Sequence, residues 1–366
     1  MDDASVPQAH LMNPIHRELP SVRHQRPAVP LSVLDLATVS AGTGAATAFR
    51  TTTEVAKTAE RLGFQRLWLA EHHSIPDIAS TSPAVLLAHL AAHTTTIRLG
   101  SGGVMLPNHT PLTVAEQFLT LEALHPGRVD LGVGRAPGGH PAVAQALRRS
   151  DADFGEQVEQ LMGFLDGFFS PGHPYAGIQV ARAVNAPPLW ILGASEQGAR
   201  LAGRLGRPFA FAYHLRPGET RAALAAYRES FQPSDVLDRP YVMVSVWVVA
   251  GDTSEEARAM VRAAGLAMAR MRNGRPTAFP SPEEAARHSF SQDEEETLRR
   301  WLRDVAHGDA SEVRAVLDRL AESTGADELM LVSHVHGHRS RLRTLELVAG
   351  AYELEQASAL TSGAAS

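Results

Sequence analysis

Apolar residues along this chain gather in short continuous runs, and between the runs they recur at the three-and-four spacing of one helix face. The runs are LSVLDLATV at 31–39, RLWLAEHH at 66–73, IRLGSGGVML at 97–106 and VDLGVGR at 129–135. Four more follow, PLWILG at 188–193, PFAFAYHL at 208–215, YVMVSVWVVAG at 241–251 and ELMLVSHV at 328–335. Their length and their content of Val, Leu and Ile predict strands. Helical spacing separates them, as in Val55, Ala59 and Leu62 before Gly63, or Val114, Phe118 and Leu121 before Gly127. Strands so continuously apolar have no face to offer water, which implies a parallel sheet covered by helices. Eight such units are the number that closes a barrel, so the pattern predicts an α/β fold, a TIM-type (β/α)8 barrel. The alternative is an open doubly wound sheet, but GTGAATA at 42–48 is a poor imitation of the GxGxxG that such a sheet carries after its first strand.

One stretch breaks the alternation. Residues 273–310, containing PSPEEAARHSFSQDEEETLRR, are polar and punctuated by proline, and predict an insertion before the last strand. A mobile cover over a site and a solvated excursion with a charged helix at DEEETLRRW both suit it. Segments 1–28, with four prolines, and 355–366 read as flexible tails around a barrel domain at 29–354.

The 366 residues carry a formal net charge of -6, which gives no bulk electrostatic reason to expect nucleic acid or an anionic membrane as partner. Small molecules are the expected ligands. The absence of cysteine excludes disulfides, thiolate metal sites and a cysteine nucleophile, so redox chemistry requires a bound cofactor. No apolar run reaches the roughly 20 residues that span a bilayer, and the first residues lack a secretory core, which predicts a cytoplasmic protein.

In a parallel barrel the site forms at the carboxyl ends of the strands. Those ends carry Asp35, then Glu71, His72 and His73, then Gly102 and Gly103, then Arg135, Ser195, His214 and His334. The paired glycines suit main chain lying against a flat ligand, or a simple bulge. Either His72 or His73 can serve as acid or base, but neighbours on a strand point to opposite faces, so one alone faces the axis; the same geometry argues against a metal site. Arg135 before APGG, and Ser195 at the start of a helix, suit a phosphate, with a surface ion pair and simple capping as the plain alternatives.

The blocks LSVLDL, LAEHH, RLGSGGVMLPNHTPLTVAEQF, LEALHPGRVDLGVGRAPG, WILGASEQGARLAGRLGRPFAFAYHL and RLRTLELVAG, in this order between Val29 and Leu354, resemble the bacterial luciferase-like family of flavin-dependent oxidoreductases. The resemblance implies a TIM-type barrel that binds reduced FMN (FMNH2), reacts it with O2, and oxygenates a small organic substrate through a flavin hydroperoxide. It implies His72 as the active-site histidine and a cis peptide at Gly102–Gly103 beneath the isoalloxazine ring. Arg135, Ser195 and the amides of Glu196 and Gln197 would bind the phosphate, and the insertion would be a lid. A separate flavin reductase and a homodimer are implied as well. Gly198 replaces an expected hydroxyl residue and NHTP at 108–111 differs from the luciferase version, which points away from aldehydes and light emission. Two alternatives stay open, hydride transfer from a reduced deazaflavin and a flavin-binding protein without catalysis.

Overall fold

Alternate residues of the strands point to a common axis and the others to a surrounding helical layer, which is how the continuous apolar runs are used. The structure, a computed structural model, describes residues 29–180 and 185–354; the expected tails at 1–28 and 355–366 lie outside the described residues. In chain order the strands are β1 Leu31–Asp35, β2 Arg66–Leu69, β3 Arg98–Ser101, β4 Val104–Met105 and β5 Val129–Gly134. They continue with β6 Leu189–Gly193, β7 Phe209–Phe211, β8 Val242–Ala250, β9 Val305–Gly308 and β10 Glu328–Val332. Pairing is parallel in the order β10, β1, β2, β3, β5, β6, β7, β8, and β8 then pairs with β10, with Met243 opposite Glu328. The sheet therefore closes into the expected eight-stave barrel.

Two details depart from the sequence reading. The third run is broken into β3 and β4 at the Gly102–Gly103 peptide, which is cis as the resemblance implied, and β4 pairs with Val133 and Gly134 of β5. A further strand, β9, lies beyond the eight staves and pairs with Trp247–Ala250 at the far end of β8. Its sequence, VAHG, is too short to have stood out as an apolar run.

Leu34, Trp68, Ala70, Trp190, Met243 and Met330 belong to the cluster that fills the barrel interior. Leu67, Leu131, Phe209 and Val244 face the other way and join the larger cluster under the helices. Those helices end where the chain signals it. Thr253 caps Ser254–Arg272 by accepting from Glu256 N, and Gly325, at φ +59°, ends Ala310–Thr324 in the left-handed conformation that a side chain disfavours. At the amino-terminal end of the barrel, Arg66 donates to Glu328 Oε1 and Asp130 Oδ2, both at 2.8 Å, and Tyr241 donates to Glu328 Oε2 at 3.0 Å. This buried network plugs the end opposite the strand termini that carry the polar residues.

The insertion is stitched to that polar end. Phe279 N donates to Val39 O and Ala41 N to Phe279 O, each at 2.8 Å, while Thr38 bridges Ile78 from the segment after β2. Phe279 is buried with Ala263, Ala264 and Leu266, and Leu298, on the helix Gln292–Trp301, is buried with Met260, Val261 and Val305. Among the described residues no helix is long and apolar enough to cross a membrane.

Candidate active site

A cavity of about 430 Å³ opens at the carboxyl ends of the staves. His72, Gly102, Gly103, Arg135, Ser195 and Gln197 all line it, so residues scattered over the sequence meet at one place. Glu196 does not line it, and its carboxylate reaches Arg200 at 3.3 Å. Leu36, Met105, Leu192 and Met330 supply apolar walls.

The end of β2 divides its side chains as strand parity requires. Ala70 and His72 face the cavity, while Glu71 and His73 turn away. Glu71 is fully buried; its carboxylate lies 2.9 Å from Nε2 of both His73 and His109 and accepts from Met105 N at 3.0 Å. Burial pushes this carboxyl up, yet the bonds from His109, His73 and Met105 more than reverse that and hold it below the usual carboxylate range. Glu71 thereby clamps the chain that follows the cis peptide. The signal for it lay in NHTP, but His109 is 38 residues away and nothing local links them.

His72 is half-buried. Burial holds its pKa below the ordinary histidine value, against the opposing pull of the nearby Gly138 carbonyl and of the Glu71 charge, so the ring is neutral at pH 7. His214 also lines the cavity, its Nδ1 2.7 Å from Ser245 Oγ, and burial pushes it down to about 4. His72 stands near both His214 and His334, so a proton on it would hold theirs off.

The glycines are demanded by the barrel wall as well as by any ligand. A Cβ on Gly102 would lie 2.6 Å from Leu34 Cδ1, and one on Gly103 would lie 2.7 Å from the Gly132 carbonyl oxygen. The expected reason, a shelf bare of side chains, is thus accompanied by a packing reason that the sequence did not reveal.

At the other end of the cavity, Ser195 caps the helix Glu196–Arg204, accepting from Gly198 N at 3.4 Å. The amides of Glu196 and Gln197 lie in the first turn, where the helix offers them no partner, and the positive end of its dipole faces the same point. Arg135 donates to Gln197 Oε1 at 2.7 Å. Its backbone carbonyl accepts from Arg149, whose guanidinium also donates to Asn108 Oδ1 at 3.0 Å. Gln197, Leu201 and Arg204 put one face of the helix along the cavity, and Arg216 joins them. The sequence reading missed both of these arginines, since neither ends a strand. A neutral histidine, an apolar chamber, exposed main chain and a cationic end can together hold a flat ligand with an anionic tail.

The chain is similar in sequence and fold to known proteins. The family profile described as luciferase-like monooxygenase matches residues 29–345. A luciferase-like monooxygenase of Escherichia coli (strain K12) is 40% identical over 327 residues, covering 87% of this chain and 96% of the relative. An N-acetyl-S-alkylcysteine monooxygenase of Bacillus subtilis (strain 168) is 32% identical over 330 residues, covering 88% and 98%. Among solved structures, apo-MsnO8 has a TM-score of 0.81 at 38% identity and covers 90% of this chain and 99% of its own. The fold is shared by remoter structures. One is a type II Baeyer–Villiger monooxygenase component of Pseudomonas putida in complex with FMN, with 19% identity, TM-score 0.66 and coverage of 88% and 97%. Another is an F420-dependent secondary alcohol dehydrogenase, with 17% identity, TM-score 0.60 and coverage of 88% and 99%.

Proposed function

Since the chain belongs to the luciferase-like monooxygenase family, we propose that it uses reduced FMN and dioxygen to oxygenate a small organic substrate in the cavity at the barrel mouth. The observation that carries this reading is the single cavity joining His72 and the Gly102–Gly103 main chain to Arg135, Ser195 and Gln197. The residues fit the cofactor: apolar walls and bare main chain suit a planar ring, and a guanidinium beside a helix N-terminus suits a phosphate.

Reduced FMN, when bound, would supply the electrons that activate dioxygen. The chain's own groups do the rest. The main chain at Gly102 and Gly103 bears the ring, while Arg135, the Ser195 hydroxyl and the amides of Glu196 and Gln197 hold the phosphate. His72, neutral at pH 7, accepts a proton from substrate at a ring nitrogen. Leu36, Met105 and Met330 keep water from the reacting atoms. The insertion from Asn273 acts as the lid over this chamber, and a separate flavin reductase delivers the reduced cofactor to a homodimer.

Oxygen uptake tests the reading. Purified protein is given chemically reduced FMN, or reduced deazaflavin, with a panel of small organic substrates. Substrate-dependent oxygen uptake and an oxygenated product with FMN alone are expected. Turnover with deazaflavin under anaerobic conditions would replace oxygenation by hydride transfer.

A further inference from the structure

One imidazole of the cavity has no part in the chemistry above. His214 is pinned on three sides: its main-chain N–H donates to Ser245 O at 2.9 Å, its carbonyl accepts from Trp247 Nε1 at 2.9 Å, and its Nδ1 lies 2.7 Å from Ser245 Oγ. Trp247 also meets the ring edge-on, with centroids 5.3 Å apart. Turning the ring breaks both of its side-chain contacts.

The same bonds place its proton. Ser245 Oγ lies 3.1 Å from the Phe211 carbonyl, which can only accept, so the one hydroxyl hydrogen goes there. Nδ1 then donates to Oγ, the one arrangement in which both bonds form. Burial keeps the ring neutral at pH 7, which leaves Nε2 as a bare acceptor. Nε2 has no hydrogen-bond partner among the described residues, and it is not one of their fully buried unpartnered atoms. The space it opens on is the cavity that His214 lines.

Barrel order decides what can reach it. Counted in either direction round the closed sheet, β7 stands four staves from β2, so His214 and His72 face each other across the mouth. A flat ligand resting on Gly102 and Gly103 after β3, with its anion held by Arg135 and Ser195 after β5 and β6, keeps to one half of that mouth. The other half is walled by Leu34 of β1, Met243 of β8 and Met330 of β10. Asp153 is the single acid on the lining among the described residues, and it is committed to capping the helix Phe154–Asp166, accepting from Gly155 N and Glu156 N. An acceptor beside an apolar wall, with no free carboxylate, suits a neutral O–H better than an ammonium.

We propose that His214 is a substrate-binding residue whose Nε2 accepts a hydrogen bond from a hydroxyl of the substrate, while the apolar body of that substrate lies against Met243 and Met330. The assignment rests on reading this cavity as the oxygenation site, and it gives the substrate class, an uncharged phenol or alcohol. An ether of the same shape leaves Nε2 unpaired, and a carboxylate sets its own lone pairs against it.

Calorimetric titration of the full chain with phenol, anisole and benzoate tests this, with and without reduced FMN under anaerobic conditions. Phenol is expected to bind roughly 5- to 10-fold more tightly than anisole, as for one neutral hydrogen bond, with benzoate weakest. His214→Phe keeps an aromatic ring without the acceptor, and should bring phenol to the level of anisole while reduced FMN binds as before. Ser245→Ala leaves the imidazole but frees its proton to move to Nε2, so the preference should shrink; a ring that served packing alone would show no such response. Nitrogen NMR of the wild-type imidazole should find His214 protonated at Nδ1. Equal affinity for phenol and anisole, no binding of either, a preference that survives His214→Phe, or a proton at Nε2 would overturn the proposal. So would a His214→Phe variant that loses reduced FMN and keeps the phenol preference. If a variant fails to fold, the wild-type ranking and the NMR decide. Phenol preference without flavin binding leaves the subsite and removes the monooxygenase reading; flavin binding without phenol preference does the reverse.

Discussion

Arg135 Nη1 donates to Gln197 Oε1 at 2.7 Å, tying the end of β5 to the first turn of the helix that follows β6. The bond spans 62 residues and brings a guanidinium to a helix N-terminus, so one anion can contact both. A surface ion pair was the plain alternative for Arg135, yet its side-chain hydrogen bond is to an amide. Arg135→Ala should weaken binding of reduced FMN by roughly 10- to 100-fold. Because Arg135 is exposed, the melting temperature should hardly move. Fluorescence titration beside a thermal melt checks both, and unchanged affinity would remove Arg135 from the phosphate site.

Alanine at either member of the cis pair meets the barrel wall, at Leu34 from Gly102 and at the Gly132 carbonyl from Gly103. Leu34 Cδ1 is the end of a side chain and can shift, whereas the carbonyl belongs to a neighbouring stave. Gly103→Ala should therefore cost more than Gly102→Ala, with losses of about 1–3 kcal/mol in chemical denaturation. Equal, negligible losses would contradict the packing account.

Acid should weaken the protein through Glu71. Its folded-state pKa lies below the ordinary value, so its contribution is present above the unfolded pKa and disappears as pH falls through the folded one. Glu71→Gln should lose about 2 kcal/mol at neutral pH. The gap between variant and wild type should shrink in acid, once the wild-type carboxyl is protonated too. Denaturant midpoints measured across pH would show it, and a gap that stays constant would exclude the charge as its source.

Asp77 has the opposite sign. Burial raises its pKa from 3.8 to about 6, so the native state holds the proton more tightly and stability falls as pH rises through that window. Asp77→Asn removes a buried charge and should stabilise the protein at pH 7 by ~2 kcal/mol, with little effect near pH 3.5. Destabilisation at pH 7 would mean that the carboxylate has a partner and a structural task.

Much of the barrel was legible because parallel staves buried on both faces must be continuously apolar, and because polar residues at their ends have one rim to share. Arg135, Ser195 and the pair His72 and His73 could therefore be singled out by position, while the choice of His72 came from the family resemblance. What escaped depends on contacts between distant segments. The Glu71 clamp needs His109, Asp77 from a loop meets His334 just past the end of β10, and Phe279 packs on His334 from an insertion whose polar sequence suited a cover and a solvated excursion equally. Arg204 was missed because it follows the helix face down from Gln197, a relation visible only once the cavity is seen to run along that face.

The central claim is that this cavity holds reduced FMN between the Gly102–Gly103 main chain and the Arg135 end. Anaerobic equilibrium titration with reduced FMN, oxidised FMN and reduced deazaflavin tests it most directly, in wild type and Arg135→Ala. The account predicts that reduced FMN binds most tightly and that Arg135→Ala removes most of that affinity. Preference for the deazaflavin, or reduced FMN binding that ignores Arg135, would contradict it.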